Sequence, residues 1–185
     1  EFSHIDTWVF DLDHTLYDAE SHVFVEIGNR MTHFVAEHLG LAHEEAKALR
    51  KTYFQKYGTT IEGLHREHGI EPSGFLKKIY DIDLSFVPAC AITQNELSNL
   101  PGRKIIFTSA PRHFAERMVS HLGLTHHFEG LFAFDDAGFR SKPNLPVYHA
   151  FLKTFRVDPK TACMFEDMEQ NLKTANDLGM TTVWF

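Results

Sequence analysis

The sequence predicts an α/β protein, a parallel β-sheet flanked by helices, whose first strand is followed by an all-helical block. Three observations predict it. From residue 103 onward, short apolar runs of strand length alternate with helical patterns, and repeated strand and helix units build parallel sheets with helices on both faces. Residues 20–99, between the first apolar run and the second, read as helix alone. Two of the apolar runs end in acids, Asp11 with Asp13 and Glu166 with Asp167, and the C-terminal edge of a parallel sheet is where α/β proteins place chemistry.

In chain order, Trp8, Val9 and Phe10 form the end of a buried strand. Val23, Ile27, Met31, Phe34, Val35 and Leu39 then recur at helical spacing until Gly40. A second helix is expected over 43–57. Shorter ones are expected over 61–68 and 72–80, separated by Gly58 and by the segment from Gly69 to Pro72, with a less regular stretch over 81–91. The second half reads as strand 104–107, helix 111–122, strand 130–134, helix 145–155, strand 161–165, helix 169–178 and strand 181–185. The expected division is a core of residues 4–18 and 100–185 and a helical block of residues 19–99, placed like a lid that excludes water and selects substrates. The chain stops at its last strand without a closing helix, so a truncated or short form is expected.

Composition narrows the function. With 185 residues and 43% apolar content, a full core is available. The formal net charge of −7 and the lack of clustered Lys and Arg exclude a general nucleic-acid binder. A small anion remains within reach, because one local lysine and a metal suffice. No apolar stretch approaches membrane-span length and no signal peptide is recognised. Cys90 and Cys163 are expected to be buried, reduced thiols, which favours the cytoplasm. The 13 histidines are scattered, without metal-site spacing, and His126 and His127 fall in an expected solvated loop.

Asp11 and Asp13 are the leading candidates. Two carboxylates one residue apart repel unless a cation or a shared proton intervenes, so they point to a divalent metal and an unequal division of roles. An EF-hand loop is excluded, since it would need Gly at Leu16 and Glu at His22. Three further motifs close later strands or precede later helices. Thr108, Ser109 and Ala110 follow a strand and open a helix, an anion cradle that is also ordinary helix-cap chemistry. Lys142, in Ser141-Lys142-Pro143, is a loop lysine of a kind nearly always exposed. Glu166 and Asp167 end an apolar run, with Asn171 four positions after Asp167. In a parallel sheet the acids emerge at one edge, an oxygen-rich site suited to Mg2+, with Lys142 and Thr108 beside it for an anion. Such a set meets the needs of phosphoryl transfer through an aspartyl phosphate.

These motifs, F-D-L-D-H-T-L, F-T-S, K-P and F-E-D in this order, resemble those of the haloacid dehalogenase superfamily of phosphatases, over the span from Trp8 to Phe185. The resemblance implies a Rossmann-like core with a helical cap inserted after the first strand. It also implies Asp11 as nucleophile and Asp13 as general acid and base. Thr108, Ser109, Ala110 and Lys142 would bind the phosphoryl group. Asp11, Asp167 and the main-chain carbonyl of Asp13 would ligate Mg2+, with Glu166 as an occasional ligand. Receiver domains combine similar groups, but their paired acids end the first strand, their acceptor comes later, and they carry no cap.

The cap segment Tyr57-Gly58-Thr59-Thr60, with Gly63-Leu64 and Glu67-His68-Gly69, resembles the pyrimidine 5'-nucleotidase branch, which acts on UMP and CMP. His14 stands where that branch usually has Asn, and Asp18 where Pro is common. The expected partner is therefore a small phosphate ester, with neither nucleic acid nor membrane. A sugar-phosphate phosphatase or phosphomutase of the same superfamily is the alternative within the chemistry, and a catalytically idle binding protein the alternative outside it. Tyr57, Thr59 and Thr60 are candidates for substrate contact or for helix capping. Arg112 and His113 are read as a solvated first helical turn within reach of a ligand.

Overall fold

A computed structural model describes residues 2–18, 22–89 and 91–185, without the side chains of 91 and 92; Cys90 therefore lies outside the described residues. The chain divides into two compact units, residues 1–19 with 84–185 and residues 20–83.

The first unit is built on five parallel strands in the order β3-β2-β1-β4-β5. They are β1 Thr7–Phe10, β2 Arg103–Phe107, β3 Gly130–Phe132, β4 Ala162–Glu166 and β5 Thr181–Trp184. β1 is central, and all four of its residues are buried. A strand covered on both faces needs apolar side chains throughout, which is why Trp8, Val9 and Phe10 run without alternation. Val9 pairs with Ile105 of β2 and Met164 of β4, and this layer packs against Tyr148 and Phe151. On the other face Phe10 stacks on Phe165, with ring centroids 4.8 Å apart. Gly102 precedes β2 at φ +93°, and a Cβ there would stand 2.5 Å from the carbonyl oxygen of Asp6. Only glycine lets β2 come that close as it enters the ladder.

The connecting helices of this unit are α5 Ala91–Asn99, α6 Arg112–His121, α7 Leu145–Phe155 and α8 Glu169–Asp177. Two expectations are corrected here. Residues 84–99, assigned from sequence to the helical block, group with the sheet: Gln94 Nε2 donates to the Leu122 carbonyl at 2.9 Å, His121 Nε2 lies 2.7 Å from the Val87 carbonyl, and Leu84, Val87 and Leu97 are buried. β3 ends at Phe132 rather than 134, because the Ala133 N–H turns to Asp136 Oδ2 at 2.8 Å and leaves the ladder. The strand order reverses direction at β1, the point where open α/β sheets form a ligand crevice at their C-terminal edge.

The second unit holds α1 Val23–Leu39, α2 His43–Tyr57, α3 Thr60–His68 and α4 Pro72–Ile79. Phe34 of α1 meets Phe75 of α4 edge to face at 4.8 Å. Thr59 caps α3 by accepting from Glu62 N–H at 3.1 Å, and the buried Thr60 hydroxyl donates to the Arg50 carbonyl at 3.4 Å. Tyr57 donates to Glu67. The Tyr57 to Thr60 segment thus fastens α2 to α3. No helix among the described residues is long and apolar enough to cross a membrane.

Candidate active site

β1 ends by handing its ladder to the first acid: Asp11 N–H donates to the Phe165 carbonyl at 3.0 Å. The backbone of Asp11 is therefore fixed, and the residue is only 7% exposed. The chain then turns back, with Leu16 N–H donating to the Leu12 carbonyl at 3.0 Å. His14 sits in that turn at φ +60°, a conformation in which Asn, Asp and His are enriched. His is thus a physically compatible substitute for the Asn usual in the nucleotidase branch. The turn also brings Tyr17 round to donate to Asp13 Oδ1.

Lys142 overturns the expectation for a loop lysine. Its side chain is 1% exposed, and the ammonium donates to three acceptors: Asp11 Oδ1 at 2.8 Å, the Phe107 carbonyl at 2.8 Å and Glu166 Oε1 at 2.9 Å. An ammonium has three donors, and all are used. Ser109 Oγ accepts from Lys142 N–H at 3.2 Å, so this hydroxyl anchors the lysine loop. Burial alone would lower the lysine, but the charges of Asp11 and Glu166 and the bonds to them outweigh it and hold it above its ordinary value.

Glu166 is wholly buried, and both its oxygens are engaged. Oε1 accepts from Lys142 and from Asn171 Nδ2, and Oε2 accepts from Met168 N–H at 2.7 Å. Burial pushes its carboxyl up, yet the lysine charge, a hydrogen bond with Asp167, the Met168 N–H and the bond from Lys142 hold it below the usual glutamate range. Asp11 goes the other way: burial and the Glu166 charge raise it despite the same lysine. One cation shared by two acids serves better the acid that has additional donors, and that acid is Glu166. Asp13 is pushed up to about 7, first by burial and then by the Asp11 charge. Asp167 also rises to about 7, through burial, a hydrogen bond shared with Glu166, and the Glu166 and Asp11 charges.

Burial is the largest influence on all four carboxyl groups, and their mutual repulsion around one lysine comes after it. Oxygens of Asp11, Glu166 and Asp167 lie within 4.8 Å of one another. Two unit negative charges at that separation repel by about 3.5 kcal/mol at an effective dielectric constant of 20. Asn171 Oδ1, buried beside Glu166, has no hydrogen-bond partner among the described residues. An all-oxygen donor set with surplus negative charge fits a hard divalent cation. Asp11, Glu166 and Asp167 could together hold such an ion, and of the three Glu166 already has both oxygens engaged.

Thr108, 2% exposed, follows β2 with its N–H on the Phe132 carbonyl at 2.9 Å. Its Oγ1 accepts from Ala110 N–H at 3.0 Å, which leaves the hydroxyl proton to donate elsewhere. The amide cradle is narrower than the sequence suggested. Ala110 N–H is taken, Pro111 has none, and Arg112 N–H donates to Asp135 Oδ2 at 2.7 Å. The donors remaining at this strand end, among the described residues, include the Thr108 hydroxyl, the Ser109 hydroxyl and the Ser109 N–H. Arg112 does not serve as an open cation either, for its guanidinium pairs with Glu116 and Asp136. The sequence assigned no role to Tyr17, which donates to Asp13, or to Tyr148, whose hydroxyl donates to the Asn171 carbonyl at 2.8 Å.

The family model for haloacid dehalogenase-like hydrolases matches residues 5–179. The chain belongs to this family. Among relatives, Phosphate metabolism protein 8 of Saccharomyces cerevisiae is 26% identical over 187 aligned positions, covering 92% of this chain and 58% of the yeast protein. The chain thus spans less than two thirds of that relative. A haloacid dehalogenase-superfamily phosphatase from Thermococcus onnurineus superposes with a TM-score of 0.67 at 19% identity, covering 98% of this chain and 86% of the other. The L-2-haloacid dehalogenase from Xanthobacter autotrophicus, with chloropropionic acid covalently bound, gives 0.61 at 17% identity, covering 97% and 77%. At such identities the structural likeness establishes the haloacid dehalogenase-like fold and nothing finer.

Proposed function

We propose that the protein is a Mg2+-dependent phosphomonoester hydrolase that works through an aspartyl phosphate on Asp11, with pyrimidine nucleoside 5'-monophosphates such as UMP and CMP as substrates. The observation that carries this reading is the buried Asp11 carboxylate, 2.8 Å from the Lys142 ammonium, with a second carboxyl group two residues on. A halide leaves without a proton, so dehalogenation has no need of a proton donor at the leaving group. The alkoxide leaving from a phosphate ester does need a proton, and Asp13, with its carboxyl near 7, is matched to giving one and taking it back at neutral pH.

In the proposed reaction an Asp11 oxygen attacks phosphorus while the ester P–O bond breaks, and the departing oxygen takes the proton of Asp13. Asp13, now ionised, removes a proton from water, whose oxygen attacks the phosphorus of the aspartyl phosphate. Inorganic phosphate leaves and Asp11 is restored. The Thr108 hydroxyl donates to a phosphoryl oxygen, and Lys142 offsets the charge on Asp11 and the phosphoryl group. When bound by Asp11, Asp167 and the main chain of Asp13, Mg2+ supplies a Lewis acid against the phosphoryl oxygens. Glu166 holds Lys142 in place.

The yeast relative, named for phosphate metabolism, supports a phosphate-bearing substrate. The choice of a pyrimidine nucleotide rests on the resemblance of the Tyr57 to Gly69 segment to the nucleotidase branch. Cys163 is a buried free thiol whose value burial pushes up to about 11; the setting proposed is the cytoplasm, where thiols stay reduced. Phosphate release should be measured over nucleoside, sugar and aryl monophosphates with Mg2+. UMP and CMP are expected to rank first, with Asp11→Asn inactive on all. Release from no compound, or undiminished release by Asp11→Asn, would end the proposal.

A further inference from the structure

β5 closes on the two acids that end β4. Phe185 N–H donates to the Glu166 carbonyl at 3.0 Å, a continuation of the parallel ladder in which Glu166 stands opposite Trp184. The second bond is of another kind. Trp184 Nε1–H donates to the main-chain carbonyl of Asp167 at 2.8 Å, so a side chain reaches one residue beyond the last paired position of β4.

Asp167 is the candidate cation ligand with the least support from the sheet. It lies past the end of its strand and is partly buried, and its carboxyl group is crowded by those of Glu166 and Asp11 within 4.8 Å. Its carboxyl group shares a hydrogen bond with Glu166, and where that group can be placed depends on the main chain that carries it. Its neighbours are held through Met168, whose N–H meets Glu166 Oε2 and whose carbonyl accepts from Asn171 N–H. The carbonyl of Asp167 itself is held by the indole. Trp184 makes this bond through its side chain, next to the ladder bond from Phe185. What indole offers that Phe, Val or Leu does not is an N–H donor. Trp8, at 5% exposure, differs: it is a core side chain that also donates, to the Pro101 carbonyl.

We propose that Trp184 is a positioning residue for the divalent-cation site, its indole N–H fixing the Asp167 main chain so that the Asp167 and Asp11 carboxylates are aimed at one ion. This rests on the reading of those two acids as the ligands. Groups that orient a metal ligand without touching the metal change affinity 10- to 100-fold when removed. Trp184→Phe keeps the ring and deletes the donor, and Trp184→Leu deletes both. Calorimetric titration with MgCl2 of wild type and both variants is the test, alongside the thermal midpoint without metal. The expected result is binding roughly 10- to 100-fold weaker in both variants, midpoints without metal close to wild type, and turnover recovered at saturating Mg2+. Equal Mg2+ affinity in wild type and Trp184→Phe overturns the role of the indole while leaving the ligand reading intact. Absence of Mg2+ binding by wild type overturns both.

Discussion

Lys142 Nζ lies 2.8 Å from Asp11 Oδ1, an ion pair that joins positions 131 apart in the chain and is almost sealed from water. The same ammonium holds Glu166. Removing it leaves two uncompensated buried acids, a change that typically destabilises by about 3 to 5 kcal/mol. Lys142→Met is therefore expected to lower the melting temperature by roughly 6 to 20 °C, at 2 to 4 °C per kcal/mol for a chain of this size. Adding Glu166→Gln should recover part of that loss without recovering activity. Thermal melts of the single and double variants check this, and a double variant no more stable than Lys142→Met would refute it.

Asp13→Asn separates proton transfer from attack. The variant keeps the volume and the Tyr17 contact, so the fold should be retained. General acid and base catalysis contributes roughly 10²- to 10⁴-fold, and activity on a nucleoside monophosphate should fall by that amount. Loss in the leaving-group step should be smaller for p-nitrophenyl phosphate, whose phenolate departs without a proton. Single-turnover rates of enzyme phosphorylation on both substrates decide it, and equal losses would count against Asp13 as the acid.

Without metal, Asp13 and Asp167 titrate near 7 in the folded chain against 3.8 for an unperturbed aspartate. Between those values the folded state binds protons that the unfolded state does not, so their contribution to stability is present below about pH 4 and is lost as pH rises through 7. Mg2+ needs the ionised acids, so its stabilisation should run in the opposite direction. At a hundredfold excess over Kd it contributes about 2.7 kcal/mol, an upward shift of roughly 5 to 11 °C. Melts at pH 5 and pH 8 with and without MgCl2 test the sign: the Mg2+ shift should be larger at pH 8.

What the sequence disclosed follows from how local each signal is. Strands buried on both faces must be apolar throughout, so β1 and the acids after it could be read from eleven residues, Trp8 to Asp18. Lys142 could not be read as buried, because its three acceptors come from β1, β2 and β4, elements far from it in the chain. Residues 84–99 carry no sequence signal that separates them from the block before them, and long-range contacts such as Gln94 with Leu122 assign them to the sheet. The roles of Ser109 and Ala110 turned on which hydroxyl accepts from which amide, a geometric matter with no sequence signature.

The segment that carries the nucleotidase resemblance has structural work of its own, which Gly63 makes measurable. A Cβ on Gly63 would stand 2.5 Å from Tyr53 Cβ and 2.8 Å from its Cδ2, closer than side chains approach one another. Tyr53 is 8% exposed and its hydroxyl lies 2.7 Å from His68 Nε2, so it cannot give way without opening the α2–α3 seam. Gly63→Ala is thus expected to destabilise by about 1 to 3 kcal/mol, the usual cost of overpacking. If the clash with Tyr53 is the cause, removing its Cβ together with the ring must relieve it. The double variant Gly63→Ala with Tyr53→Gly should then be less destabilised than the sum of the two single changes, by roughly 0.5 kcal/mol or more. Strict additivity in urea melts would show that Gly63 is required for some reason other than the close approach to Tyr53.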